Sequence, residues 1–400
     1  MNRLADLEFT AAERAEVGKK IRSAIEKNGL DGIIAVDSGN FTYLSRGAVL
    51  PYNGLGSTLP SLVFAGREAS EDFIVCPPEM TGVLSDQEWP GRTGVYSIND
   101  GAPPAGLVRK TAELLQGKRK IGFDPEMVSA DLFTKLREAL PDVGFIDAGA
   151  MLKELRKVKT PGEIKMIEIA CRLAERGLIS ALNHAEGNVH DPLNYYLWEF
   201  GERIRVHVGE FGGSMTGHLS VQQGARAGRL FARPDLHEPF RSGSFLRAEW
   251  TSQNYGYWAD SCRTIFVGEP GSEALQAYRD NTALKETAVT TLKPGVSAAD
   301  VFTAVETASN TLGIPFRAEA GIGHGVGTNE MEGPYLDDTD HTVLEAGMVL
   351  AVGVYTYGPA GELICSRDTY EITVSGNRLL SWYKSYDHLY SMYGSSARHG

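Results

Sequence analysis

Cysteine is scarce in this chain: four occur among 400 residues, at positions 76, 171, 262 and 365, and no two form a Cys-x-x-Cys pair. A disulfide framework and a thiolate zinc knot are therefore not indicated, and the four are expected as small core residues. Long apolar runs are missing as well. No window approaches the roughly eighteen uninterrupted apolar residues of a membrane-spanning helix, and the first 29 residues lack the apolar segment of a secretory signal. A cytoplasmic protein is the expectation. Basic charge is also in deficit, with 39 Lys and Arg against 51 Asp and Glu and a formal net charge of −12. That balance argues against nucleic acid or an anionic membrane surface as a partner.

What is present reads as a globular protein, and 400 residues exceed what one core usually covers, so two domains are expected. Residues 12–28 have helical periodicity ended by Gly29, and "DGIIAVDSGNFTYL" follows with an apolar run of strand length. The runs "SLVFAG", "DFIVCP" and "KIGFDP" alternate with helical stretches at 104–117 and 129–139, which predicts an α/β domain over residues 1–158. At "TPGEI" Thr160 is placed as N-cap, Pro161 as first helical residue and Glu163 three beyond the cap, a helix start that opens a second domain, 159–400. Helices are expected there at 161–185, 191–207, 272–291 and 297–312. Strands are expected at 214–222, 244–252, 262–267, 347–357 and 362–375. That succession predicts an α+β domain with a curved antiparallel sheet. The tyrosine-rich end "SWYKSYDHLYSMYG" packs either on its own domain or on a partner subunit.

The stretch "GIGHGVGTNEMEGPYL", 321–336, sets His324 among four glycines and follows it with two glutamates but no second histidine. Together with "YGYWADSCRTIFVG" (255–268), "LEAGMVLAV" (344–352) and "SRDTYEIT" (366–373), it resembles the creatinase, aminopeptidase P and methionine aminopeptidase superfamily. The N-terminal domain and the "KTPGEI" linker look like the creatinase and prolidase branch. The resemblance implies a "pita-bread" C-terminal domain, a homodimer and a small-molecule substrate. In metal-dependent members it also implies two divalent ions held by Asp, Asp, His, Glu and Glu, since such ions need several anionic oxygens.

Carried over by position, that ligand set falls on Glu249, Asp260, His324, Gly353 and Arg367. Two of the five are lost, and a guanidinium about 4 Å from a divalent ion is repelled by roughly 8 kcal/mol at an effective dielectric near 20. No metal and no cofactor are therefore expected. The proton-handling histidines of the peptidases fall on Met331 and Ala232. This pattern is similar to the metal-free branch of creatinase and ectoine hydrolase, although the creatinase histidine and glutamate are missing too.

The surviving residues carry the expected chemistry. His324 is a proton carrier suited to neutral pH, or a structural group in a Gly-rich turn. Glu249, in "FLRAEWTS", is a general base or a nucleophile on the cleft face of a strand. Asp260 orients His324, binds a cationic substrate nitrogen, or pairs with Arg263 or Arg367. Arg367 grips a substrate carboxylate by its planar fork, or only neutralises Glu249 and Asp260. Tyr355, Tyr357 and Asp368 are further substrate contacts, and Tyr52 is another, on a Gly- and Pro-containing loop at 46–60.

The resulting expectation is a metal-independent hydrolase of a non-peptide carbon–nitrogen bond, of amidine, urea, lactam or cyclic amide type, in a small polar metabolite. The alternatives are a metal-dependent Xaa-Pro aminopeptidase, prolidase or lyase of the same fold, and a non-catalytic binding protein.

Overall fold

The computed structural model describes residues 8–50, 59–87, 89–97, 104–188, 196–210, 218–230, 232, 238–381 and 388–392. The chain divides into two compact units, 1–162 and 163–400.

In the first unit α1 (Ala11–Lys27) begins where Thr10 accepts from the Glu13 backbone while the Glu13 carboxylate accepts from Thr10, a capping box. Val17, Ile21 and Ile25, four apart, bury one face of the helix. Then come β1 (Gly32–Ala35), α2 (Ser38–Ser45), β2 (Leu62–Gly66), β3 (Phe73–Cys76), α3 (Thr81–Asp86), β4 (Arg92–Val95), α4 (Ala105–Leu114), β5 (Lys120–Phe123), α5 (Ala130–Ala139), β6 (Gly144–Asp147) and α6 (Gly149–Lys157). The six strands form one mixed sheet in the order β4-β3-β2-β1-β5-β6. Ile34, Phe64, Phe73, Leu107, Ile121 and Leu136 lie in its core, the α/β arrangement expected.

The second unit opens with the long helix α7 (Pro161–Asn188) and α8 (Leu197–Glu210). Next come β7 (Leu219–Gln223), β8 (Ser244–Asn254), β9 (Tyr257–Val267), α9 (Ser272–Thr291) and α10 (Ala298–Leu312). The chain continues through β10 (Gly323–Gly325), β11 (Glu332–Tyr335), β12 (Val349–Val352), β13 (Thr356–Tyr357), β14 (Leu363–Ile364), β15 (Asp368–Thr373), β16 (Gly376–Leu379) and β17 (Tyr390–Met392). One sheet runs β17-β9-β8-β7, and a second, wholly antiparallel, runs β11-β10-β12-β15-β16. The β8–β9 hairpin turns through Tyr255 and Gly256 at φ 49° and 74°, the left-handed pair that matches strand twist. A bridge, Cys262 opposite Arg367, joins the two sheets.

Two expectations are corrected by the observed strands. β9 starts five residues before the expected 262, because Asp260 and Ser261 interrupt an apolar reading although they are buried. The expected strands 347–357 and 362–375 each break in two, because the chain leaves the sheet after Val352 and returns only at Asp368. All four cysteines are buried and free. Among the described residues no helix is long and apolar enough to cross a membrane.

Candidate active site

Strand periodicity decides which side chains reach the seam between the sheets. On β8, Trp250 and Ser252 point back to α7, donating to the carbonyls of Ala174 and Ala170. Arg247, Glu249 and Thr251 therefore occupy the opposite face, with Thr251 opposite Asp260 and Glu249 opposite Cys262 on β9. His324 arrives from β10, directly across from Ala351 of β12. Its flanking glycines make room for the neighbouring strands, β12 and β11. A Cβ at Gly323, where φ is 153°, would stand 2.3 Å from the Ala351 carbonyl oxygen, and one at Gly325 would stand 2.6 Å from that of Gly333.

Five of the expected site residues converge here. Arg367 donates from Nη1 to Asp260 Oδ2 at 2.8 Å and from Nη2 to the Tyr355 hydroxyl at 2.8 Å. The Tyr355 hydroxyl in turn donates to Glu249 Oε2 at 2.6 Å. His324 Nε2 lies 3.1 Å from the same Asp260 oxygen, and its Nδ1 lies 3.0 Å from the Gly325 carbonyl. Both ring nitrogens thus face acceptors, an arrangement that holds the ring in one orientation. Burial by itself would push the Asp260 carboxyl up, but the Arg367 guanidinium and then His324 bring it below its ordinary value.

One partner escapes the motifs. Arg247, fully buried, brings Nε to 2.7 Å from Glu249 Oε1. The contact is an ion pair out of line for a hydrogen bond, and among the described residues neither atom has a hydrogen-bond partner. The other guanidinium nitrogens of Arg247 hold the Ala227 and Arg229 carbonyls and the Gln222 amide oxygen. Its signal in the sequence is the two-residue spacing from Glu249. The Tyr355 ring lies 5.5 Å from both guanidinium centres, those of Arg247 and Arg367.

The remaining candidates fall elsewhere. Asp368 is no substrate contact: it is fully buried, and both its oxygens are taken, by Arg263 and Lys285. Tyr357 is exposed on β13 and takes no part in the hydrogen bonds of the cluster. Tyr52 lies outside the described residues. Of the two arginines proposed as partners for Asp260, Arg367 takes the role, while Arg263 goes to Asp368.

A pair of divalent ions does not fit this constellation. The Arg367 guanidinium lies against Asp260, and 3.8 Å from Glu249, where an ion would need their oxygens. A Cβ at Gly353 would stand 2.8 Å from Arg367 Cβ and 3.0 Å from its Cα, so any side chain at 353 requires the backbone there to shift, whatever residue stands at 367. Among the described residues no group of three or more His, Cys, Asp or Glu is arranged to hold an ion.

Comparison with known proteins places this geometry in context. The profile of "Metallopeptidase family M24" matches residues 165–374, more than half of the chain, and that of the "Creatinase/Prolidase N-terminal domain" matches residues 19–158. An uncharacterised peptidase of Bacillus subtilis, YqhT, is 23% identical over 91% of this chain and 97% of its own. A Xaa-Pro dipeptidase of Pyrococcus horikoshii is 21% identical over 91% and 96%. The crystal structure of X-Pro aminopeptidase from Thermotoga maritima superposes with a TM-score of 0.76 at 18% identity, covering 92% of this chain and 99% of that one. These relatives overturn the expectation of metal-independent cleavage of a non-peptide carbon–nitrogen bond: they bear the names of peptidases, in a metallopeptidase family. The absence of two ligand positions was too narrow a basis for choosing the substrate bond.

Proposed function

Because the chain belongs to metallopeptidase family M24, we propose that it is a hydrolase acting on a small peptide-type substrate of the Xaa-Pro class, bound where Glu249, Asp260, His324, Tyr355 and Arg367 meet. The observation that carries this reading is the convergence of these five side chains on one buried spot: Glu249, Asp260 and His324 from strands of two sheets, Arg367 from the bridge between them and Tyr355 from the segment between β12 and β13. Burying paired charges brings little stability in itself, so such a cluster marks a working site. The names of relatives that match nearly end to end supply the substrate class.

Arg367 has 14% of its side chain exposed, against 5%, 8% and 6% for Glu249, Asp260 and His324, so it is the member that meets a substrate carboxylate or carbonyl first. His324, held between Gly325 and Asp260, moves the proton to the leaving nitrogen. Glu249, anchored by Tyr355 and Arg247, orients the water. The ions implied by the family name do not fit these residues, and no step is assigned to them.

The test is proline release from Ala-Pro and Leu-Pro, and release of the N-terminal residue from an Ala-Pro-Yaa tripeptide series, with and without added Mn²⁺. Release by the parent protein is expected, with loss in Asp260→Asn and His324→Ala variants that remain folded. A second reading, a binding protein that no longer hydrolyses, is favoured by one observation: each carboxylate already has its own arginine. Saturable dipeptide binding without proline release would decide for it. The homodimer implied by the resemblance belongs to the same reading, and light scattering showing a single-chain mass would remove it.

A further inference from the structure

Behind the seam lies a second group of charges that the proposed chemistry does not use. Glu175 on α7, Arg263 on β9, Lys285 on α9 and Asp368 at the start of β15 are each at most 4% exposed. Arg263 donates from Nη2 to Asp368 Oδ1 at 2.5 Å and lies 3.6 Å from Glu175, and Lys285 donates to the other Asp368 oxygen. Two acids and two bases leave the group formally neutral.

Further contacts of Arg263 fall on backbone at the seam. Its Nη1 donates to the Cys262 carbonyl at 2.8 Å and to the Arg367 carbonyl at 2.7 Å. Those two residues form the bridge between the sheets, where Arg367 N donates to Cys262 O at 3.0 Å and Cys262 N to Arg367 O at 3.4 Å. One sheet supplies Glu249 and Asp260, the other His324, and Arg367 stands at the joint.

We propose that Arg263, with Asp368, Lys285 and Glu175, is a positioning device that staples this seam and thereby sets the reach of Arg367 to Asp260 and to substrate. A buried ionic group of this kind is commonly replaceable by apolar residues at no loss of stability, so folding alone does not account for it. Orientation does. A misplacement on the order of 1 Å at such a clamp costs up to roughly a hundredfold in catalytic efficiency. The inference rests on the reading of the Arg367 cluster as the working site.

The test replaces the network by apolar residues of similar size, Glu175→Leu, Arg263→Met, Lys285→Met and Asp368→Leu together, in the full-length protein. The expected result is a melting temperature equal to or above that of the parent, a KM for Ala-Pro raised roughly tenfold or more with a smaller change in kcat, and, in a crystal structure, loss of the Arg367–Asp260 contact. Should the fourfold variant not fold, the pair Lys285→Met with Asp368→Asn is read in the same way. A folded variant that keeps both the parent KM and the Arg367–Asp260 contact overturns the proposal. If the parent neither binds nor hydrolyses Ala-Pro, the substrate reading fails, while the crystal structure still decides the positioning role.

Discussion

Removing Arg367 leaves Asp260 buried against His324 without its guanidinium, and Glu249 with Arg247 as its remaining cation beside the Tyr355 hydroxyl. Arg367→Leu is therefore expected to cost about 3–5 kcal/mol in urea unfolding, the usual penalty for breaking one side of a buried pair. Tyr355→Phe deletes the hydroxyl that both accepts from Arg367 and donates to Glu249, at about 1–3 kcal/mol by the same measurement. Acid sensitivity follows from the lowered Asp260 carboxyl. Its folded value lies below the unfolded one of about 3.9, so its contribution is present above that pH and is lost as pH falls through the folded value. Stability of the parent should therefore drop more steeply below about pH 4 than that of Asp260→Asn, as read from urea midpoints at successive pH values. Metal affinity is expected to respond to the two departures from the family set taken together. Gly353→Glu with Arg367→Glu should raise Mn²⁺ affinity at least about tenfold over the parent by calorimetric titration, and no gain would mean that something other than the guanidinium keeps ions out.

At the scale of strands, the site depends on close backbone approach rather than on hydrogen-bond count. Gly323→Ala places a Cβ on the Ala351 carbonyl and forces a side chain into a positive φ that suits glycine. A loss of about 1–3 kcal/mol is expected from overpacking. Shifted amide signals should be confined to β10, β12 and their neighbours; a neutral substitution would show that the strands simply separate. The β8–β9 hairpin was legible as strand, and the outward placement of Glu249 follows from its two-residue alternation with Trp250 and Ser252 at the back. The first turns of β9 were not legible, because buried Asp260 and Ser261 read as polar loop. The break between Val352 and Asp368 was hidden for the opposite reason: apolar Val354, Leu363 and Ile364 continue the pattern of a strand while the chain departs to deliver Tyr355.

For the whole molecule, two units with separate hydrophobic cores predict unfolding that is not two-state. The calorimetric enthalpy should exceed the van't Hoff value, and equality of the two would show that the units melt together.

The sequence by itself determined the family and the broad succession of helices and strands, and it named five of the residues that meet at the seam but not Arg247, because local periodicity and motif spacing are properties of the chain alone. Which arginine answers which carboxylate was decided only by tertiary structure. Arg247 reaches Glu249, Arg367 reaches Asp260 and Tyr355, and Arg263 turns away to Asp368. Charges separated by a hundred residues are paired by the seam between two sheets, and no pattern along the chain records where that seam lies.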